Sequence, residues 1–442
     1  MLKTRYEGPA VGIDFGTTNS SVAVVRGDEK VELASFPTAT GSTVSFRSIL
    51  YLEQVKRNGG AKQLLSKTGP AGIEAYLDAE EKGRLIQSLK SYLPNRTLTG
   101  TEVFGRHFTL EQLVSRMLAD LRERAERQFG IPIRHATVGR PVRFVGAETD
   151  ENDAYAVSRL RDAFALAGFE GVEFEMEPIA AAYSYESSLD HDELILIGDF
   201  GGGTSDFSLV RVGPGVRARG RSPEDLLGNS GVGLAGDAFD ARIVRKLVSP
   251  AMGSESFARS LNKTLPAVPT WIYANLERWH YLSFLRTRNV AEILRSARLR
   301  ALEPEKIEAL TALIEEDLGY QLHQAVQRVK FELSHSTAAE FRFHEGSLDL
   351  RIPVTRDEFE EWIAEELSAI EHSVDSLLES SGVSAREVDR VFLTGGTSFV
   401  PAVRRIFAKR FGEGNIQTGH EFTSVAHGLA LRAEESLVAS LV

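Results

Sequence analysis

GIDFGTTNSSVAVV at residues 12–25 and GDFGGGTSDFSLV at residues 198–210 follow one plan. Each has an apolar strand ending in Asp-Phe-Gly, a turn rich in Gly and Thr or Ser, and a second strand. They open the two halves of a 442-residue chain. A strand–turn–strand unit that occurs twice predicts two related lobes facing a shared cleft. The chemistry of the repeat is direct. Asp14 and Asp199, at strand ends, present carboxylates to a hard cation such as magnesium. The turns Gly16-Thr17-Thr18-Asn19 and Gly201-Gly202-Gly203-Thr204 offer outward backbone N–H groups of the kind that nest phosphate, and glycine lets the backbone approach closely. Either turn alone is an ordinary β-turn. The matched pair is what points to one polyphosphate gripped from two sides.

Working outward, Val11–Asp14, Ser21–Val25 and Val31–Phe36 read as a β-meander, with Arg26–Lys30 as its second turn. Arg26-Gly27-Asp28 is therefore a hairpin turn and not an adhesion motif. Residues 57–109 are mixed, with a helix expected around Glu80–Tyr92. From Thr109 the apolar residues Leu110, Leu113, Val114, Met117, Leu118, Leu121 and Ala125 recur at helical spacing, and Thr109 with Gln112 forms a capping box. A strand Ala136–Val138 and a helix Asp150–Ala167 closed by Gly168 follow. Leu194–Ile197 reads as a buried strand paired with Asp206–Val212. Ser249–Ser334 is helical but interrupted by Pro266, Pro269 and Pro304, and its Trp271, Trp279, Tyr281 and Phe284 are assigned to packing. Asp357–Leu378 is an amphipathic helix with Phe359, Trp362, Ile363, Leu367, Ile370, Val374 and Leu377 on one face. A strand Val388–Leu393 and a last helix from Ser424 complete the pass.

Composition narrows the function. With 42% hydrophobic and 26% charged residues the chain is ordinary and globular, long enough for several domains. It has no cysteine, so disulfides and thiolate metal sites are excluded, and a reducing cytoplasm suits it. The formal net charge of −11 argues against nucleic-acid binding and against a polybasic membrane anchor. The N-terminus lacks a signal peptide's pattern, and no apolar run is long enough to span a bilayer.

Five separated motifs carry a resemblance. Residues 11–20, VGIDFGTTNS, and 199–206, DFGGGTSD, resemble the two phosphate loops of the ATPase domain of DnaK-type heat-shock chaperones, within the actin and sugar-kinase superfamily. EPIAAA at 177–182 and SVAHGLA at 424–430 resemble its two connecting helices, and FLTGGTS at 392–398 with Pro401 resembles its adenosine motif. The best match is to short, YegD-like members. The resemblance implies an α/β, two-lobed actin-like fold: duplicated ribonuclease-H-like mixed sheets flanked by helices, with inserted subdomains. Lobe I is expected at 1–188, with an insertion at about 42–130 and the helix at about 424–442 packed back on it. Lobe II is expected at 189–423, with a helical insertion at about 249–325 that is either a replacement partner surface or simply an elaboration of the lobe. The resemblance also implies a chain without the peptide-binding domain.

By the same resemblance, Asp14, Asp199 and Asp206 flank magnesium through water. Gly16, Thr17, Thr18, Asn19 and Gly201–Gly203 contact the phosphates of ATP or ADP, with Thr204 beside the γ-phosphate. Lys90, Glu177, Asp199 and Thr204 carry catalysis. Gly236, Lys330, Phe331, Ser334, Gly395, Gly396, Thr397 and Phe399 match nucleoside-contacting positions. Here Phe331 and Phe399 stand where the family has two arginines that sandwich the adenine; a phenyl ring also stacks on a base. The alternative is that both rings pack inward. The segment 231–236, GVGLAG, spells Gly-x-Gly-x-x-Gly, but no strand is expected before it, so a dinucleotide site is rejected.

The expected activity is slow magnesium-dependent ATP hydrolysis coupled to lobe closure, in a cytoplasmic monomer with an unidentified protein partner or client. The alternatives are a non-catalytic nucleotide sensor or co-chaperone scaffold, a small-molecule kinase on the same fold, and a filament-forming actin relative. Protein kinases are excluded because no His-Arg-Asp loop accompanies Asp-Phe-Gly, and P-loop NTPases because no Walker lysine follows a Gly-rich loop.

Overall fold

A computed structural model describes residues 8–26, 30–38, 41–56, 62–79, 83–186, 189–220, 222–259, 265–278, 282–417 and 424–439. The apolar run Val11–Phe15 becomes the middle strand of a mixed sheet in the order Gly171–Met176, His135–Arg140, Val11–Phe15, Asn19–Arg26, Lys30–Leu33. The first three strands are parallel and the last three form the antiparallel meander. The tip of its second turn, residues 27–29, lies outside the described residues.

The second repeat builds the same sheet again. Its order is Ile416–Gln417, Arg390–Thr394, Glu193–Phe200, Ser205–Val212, Leu226–Val232, again two parallel pairings followed by two antiparallel ones. The sequence repeat is thus a repeat of topology, as the two-sheet, actin-like class requires.

Both sheets belong to one of two compact units, comprising Met1–Gly233, Ser373–Gly395 and Phe407–Val442. Within it, two helices built from small residues pack between sheet surfaces. Ala182 of the helix Glu177–Glu186 meets Ile195, Ile197, Val210 and Val212, while Ala180 meets Val425 and Leu429 of the helix Ser424–Ala439. Ala426 and Ala430 cover Ala23 of the first sheet. A Cβ on Gly428 would collide with the carbonyl oxygen of Ala180, so only glycine permits this crossing. The other face of the first sheet buries one large core with the helices Leu110–Phe129 and Asp150–Leu166. The Thr109–Gln112 capping box is present, and Gly130 ends the first of these helices at φ 69°.

The second unit, Leu234–His372 with Gly396–Ile406, is mostly helical. The helix Gly319–His335 packs on the hairpin Ala338–Glu345 and Leu348–Thr355. The expected irregular helical stretch is a series of short helices: Thr270–Leu276, Leu282–Leu285, Arg288–Arg300 and Pro304–Glu315. Pro304 starts a helix, where its missing N–H costs nothing.

Four readings need correction. The helix expected around Glu80–Tyr92 is instead a strand, Arg84–Gln87, paired with Ile49–Leu52, followed by a 3₁₀ turn, Leu89–Tyr92; residues 80–82 are outside the described set. Edge pairing overrides the apolar spacing there, and Ser88 at φ 56° turns the chain between the two. The amphipathic helix Asp357–Leu378 is interrupted at Ile363, giving Arg356–Trp362 and Ala364–Ser381, although Phe359, Ile363, Ile370, Val374 and Leu377 are all buried. Trp271 is 44% exposed, so of core and interface only the interface reading remains for it, while Trp279, Tyr281 and the side chain of Phe284 are outside the described residues. A strand, Leu226–Val232, does precede Gly-x-Gly-x-x-Gly, and the helix Gly236–Ile243 follows it. That strand pairs antiparallel with its neighbour at a sheet edge, so it makes no parallel βαβ unit of the kind a dinucleotide fingerprint needs.

Candidate active site

The first strand, Val11–Phe15, ends beside Asp14 and the turn 16–18, and the strand Glu193–Phe200 ends beside Asp199 and the turn 201–204. Both turns are tied down by backbone groups. Gly201 N–H donates to the Thr204 carbonyl at 2.8 Å. Around the first turn, Ser48 Oγ donates to the Gly16 carbonyl at 2.7 Å, and Ser48 N–H donates to the Thr18 carbonyl at 2.9 Å. Asn19 pairs with Arg47 in a short antiparallel bridge. Ser48 and Arg47 were not singled out from sequence: they lie about 30 residues beyond the turn with no local motif around them.

Lys90 is placed by the 3₁₀ turn and is 6% exposed. It is therefore buried and not exposed on an α-helix. Its Nζ forms an ion pair with Glu177 Oε1 at 2.7 Å. Glu177 is the first residue of its helix, where a carboxylate is favoured by the helix dipole. Asp206 lies directly across the hairpin from Asp199, and Thr394 lies across the parallel pairing on the other side. Thr394 Oγ1 donates to Asp199 Oδ1 at 2.8 Å.

These groups share one electrostatic environment. Burial, then the charge of Glu177, pushes the Asp14 carboxyl up to about 8, against the opposing pull of Lys90. Burial and Glu177 raise Asp199 to about 6, with the Thr394 hydroxyl pulling the other way. Burial and Asp199 raise Asp206 to about 7, opposed by a hydrogen bond from Thr204. Four carboxylates thus converge around a single lysine. Among the described residues, no three His, Asp or Glu side chains stand close enough to ligate an ion directly. The mutual repulsion of Asp14, Asp199 and Asp206 and their strand-end positions fit a hydrated hard cation, which would relieve the repulsion without direct bonds from all three.

The nucleoside-matching residues fall largely in the second unit. Lys330 Nζ pairs with Asp240 Oδ1 at 2.5 Å and donates to the Gly236 carbonyl at 3.3 Å, and Ser334 Oγ donates to the Lys330 carbonyl at 3.0 Å. Gly236 and Lys330 are therefore brought together with Asp240, a residue not singled out from sequence, while Ser334 bonds back within the helix that carries Lys330. Phe331 and Phe399 do not pack inward: they are 62% and 37% exposed. The Phe331 ring lies against His335, 4.5 Å between centroids. Gly396, Thr397 and Phe399 form a 3₁₀ turn in which Thr397 is buried. Gly395, at the end of the strand in the first unit, has φ 85° and no space for a Cβ against the Phe200 carbonyl, so this turn requires glycine.

The family model described as Hsp70 protein matches residues 77–264 and 308–436, well over half of the chain. The chain belongs to the Hsp70 family. It is thus a chaperone-family, ATP-binding protein of the actin-like ATPase fold. The matched segments of this Hsp70 protein include Lys90, Glu177, Asp199, Thr204, Asp206 and the turn after Thr394. Asp14 and the first turn precede them; Asp14 is tied to the site by the repeat and by the influence of Glu177 and Lys90 on its carboxyl, and the turn by the repeat alone. Among the described residues no helix is long and apolar enough to cross a membrane.

Proposed function

We propose that this Hsp70-family chain binds ATP with magnesium and hydrolyses it slowly, and that its nucleotide state sets closure of two lobes, residues 1–188 and 189–423. The observation that carries the reading is the Lys90–Glu177 pair set among Asp14, Asp199 and Asp206. Hydrolysis is in-line attack by water on the γ-phosphate, and such reactions depend on positioning and charge neutralisation more than on covalent chemistry. Magnesium, when bound with ATP, supplies neutralising charge to the phosphates. Gly16–Asn19 and Gly201–Gly203 hold phosphate oxygens through backbone N–H groups. Thr204 lies beside the γ-phosphate, and Lys90, aimed by Glu177, offers its ammonium to the charge that develops there. Asp14, Asp199 and Asp206 orient the cation's water shell, and Phe331 and Phe399 provide aromatic surface for the base. The chain is proposed to work in the cytoplasm as a monomer with a protein partner or client; the absence of cysteine agrees with that setting.

A second reading, a nucleotide sensor without turnover, draws on the same pair: Lys90 is already engaged by Glu177 at 2.7 Å. The test is ATP binding and single-turnover hydrolysis, with and without magnesium, by the parent and Lys90→Ala. Slow turnover lost in the variant while binding persists supports the ATPase. Tight binding with no turnover in the parent selects the sensor, and no ATP binding by the parent rejects both.

A further inference from the structure

Asp199 stands in a row of three residues that crosses three strands. Its antiparallel neighbour is Asp206 and its parallel neighbour is Thr394. Directly opposed residues of adjacent strands project from the same face of a sheet, so all three side chains share one side. The two neighbours act differently. Asp206 repels Asp199, whereas Thr394, 6% exposed, donates its hydroxyl to Asp199 Oδ1 at 2.8 Å.

The backbone that delivers this hydroxyl has little freedom. Gly395 follows at φ 85° and packs so closely on the Phe200 carbonyl that no Cβ fits. Phe200 is in turn held between Phe207 and Phe407. The ends of the two parallel strands are therefore clamped together one residue beyond the Thr394–Asp199 bond. A carboxylate has a broad χ2 preference, and a fixed donor to one of its oxygens removes that freedom. We propose that Thr394 is a positioning residue for Asp199: its hydroxyl occupies Oδ1 and leaves Oδ2 as the oxygen offered to a hydrated cation. A valine at 394 would fill the same space without a donor, so the hydroxyl itself is the functional part. This rests on the reading that Asp199 serves a magnesium–nucleotide complex.

The experiment compares the parent with Thr394→Val and Thr394→Ser. Thermal stabilisation by ATP is titrated with magnesium, which reads cation use without requiring turnover, and melting without ligand is recorded alongside. Thr394→Val is expected to raise the magnesium concentration for half-maximal stabilisation about tenfold, the scale of a hydrogen bond to a charged group. Its ligand-free melting temperature falls modestly, because Asp199 Oδ1 loses a buried donor, and Thr394→Ser, which keeps the donor, stays within about twofold of the parent's magnesium midpoint. Should the valine variant not fold, Thr394→Ala carries the same expectation, since it cannot overpack. A donor-free variant with the parent's magnesium midpoint, or a serine variant as impaired as valine, overturns the assignment of Thr394 while leaving the ATP site intact. A parent whose ATP binding ignores magnesium overturns the underlying reading and this inference with it.

Discussion

Lys90 and Glu177, separated by 87 residues, form an ion pair of 2.7 Å with side chains only 7% and 13% exposed. Breaking one partner of such a pair leaves an uncompensated charge. Here that charge would stand beside Asp14 and Asp199, both of which already feel Glu177. Lys90→Ala should therefore cost stability, by up to about 3 kcal/mol in urea denaturation. The double variant Lys90→Met with Glu177→Gln should regain most of that loss and still show turnover reduced at least about a hundredfold. A double variant that hydrolyses ATP like the parent would remove Lys90 from catalysis.

Without a cation, stability should fall as pH rises from about 5 to 8. Asp14, Asp199 and Asp206 have folded-state values of about 8, 6 and 7, each above the ordinary 3.8. In that window the folded chain holds protons the unfolded chain has released, so raising the pH favours unfolding, on the order of 1 kcal/mol per pH unit for each carboxyl concerned. Melting curves in a chelator at pH 5.5, 7 and 8.5 test the slope, and Asp206→Asn should flatten it. Magnesium with ATP should stabilise more at pH 8.5 than at pH 5.5, because only ionised carboxylates gain from a cation.

Gly428→Ala should be among the most damaging single substitutions in the chain. Its methyl group has no space against the Ala180 carbonyl, and two helices would have to separate. A loss of about 2–4 kcal/mol is expected by chemical denaturation. Gly414→Ala, with open space at the Cβ position and no positive φ, should change stability by less than about 0.5 kcal/mol. Equal effects would show that the crossing is not tight.

Phe331→Ala should leave stability nearly unchanged, because the ring is 62% exposed, but weaken ATP binding about ten- to a hundredfold, the scale of one stacking contact. Calorimetric titration of ATP against inorganic triphosphate separates the contributions: triphosphate affinity should be indifferent to the substitution. An unchanged ATP affinity removes Phe331 from the base site.

Much of the site was legible because its parts are local. Asp14 and Asp199 each end a strand and precede a Gly-rich turn, and the duplication of that pattern announced two sheets of like topology. Helix Glu177–Glu186 and the helix from Ser424 were marked by small residues in short motifs. Ser48 and Thr394 were not seen as site residues, since a hydroxyl in a strand or loop carries no signal until pairing sets it against a partner. The segment around Lys90 was misread as a helix for a related reason. Leu85, Ile86, Leu89 and Tyr92 fit helical spacing, but the strand Ile49–Lys56 offered edge pairing that the local sequence does not encode.

By itself, the chain determined the repeat, the lack of thiol chemistry and the two carboxylates that begin the site, all of which depend on residue type and near-neighbour spacing. Tertiary structure alone decided that Lys90 faces Glu177, that Thr394 holds Asp199 and that Lys330 is engaged by Asp240. Each of these joins residues 87, 195 or 90 positions apart, and such pairings are set by helix packing and, for Thr394 and Asp199, by sheet register, where a single-residue shift would turn a strand's side chains to the opposite face.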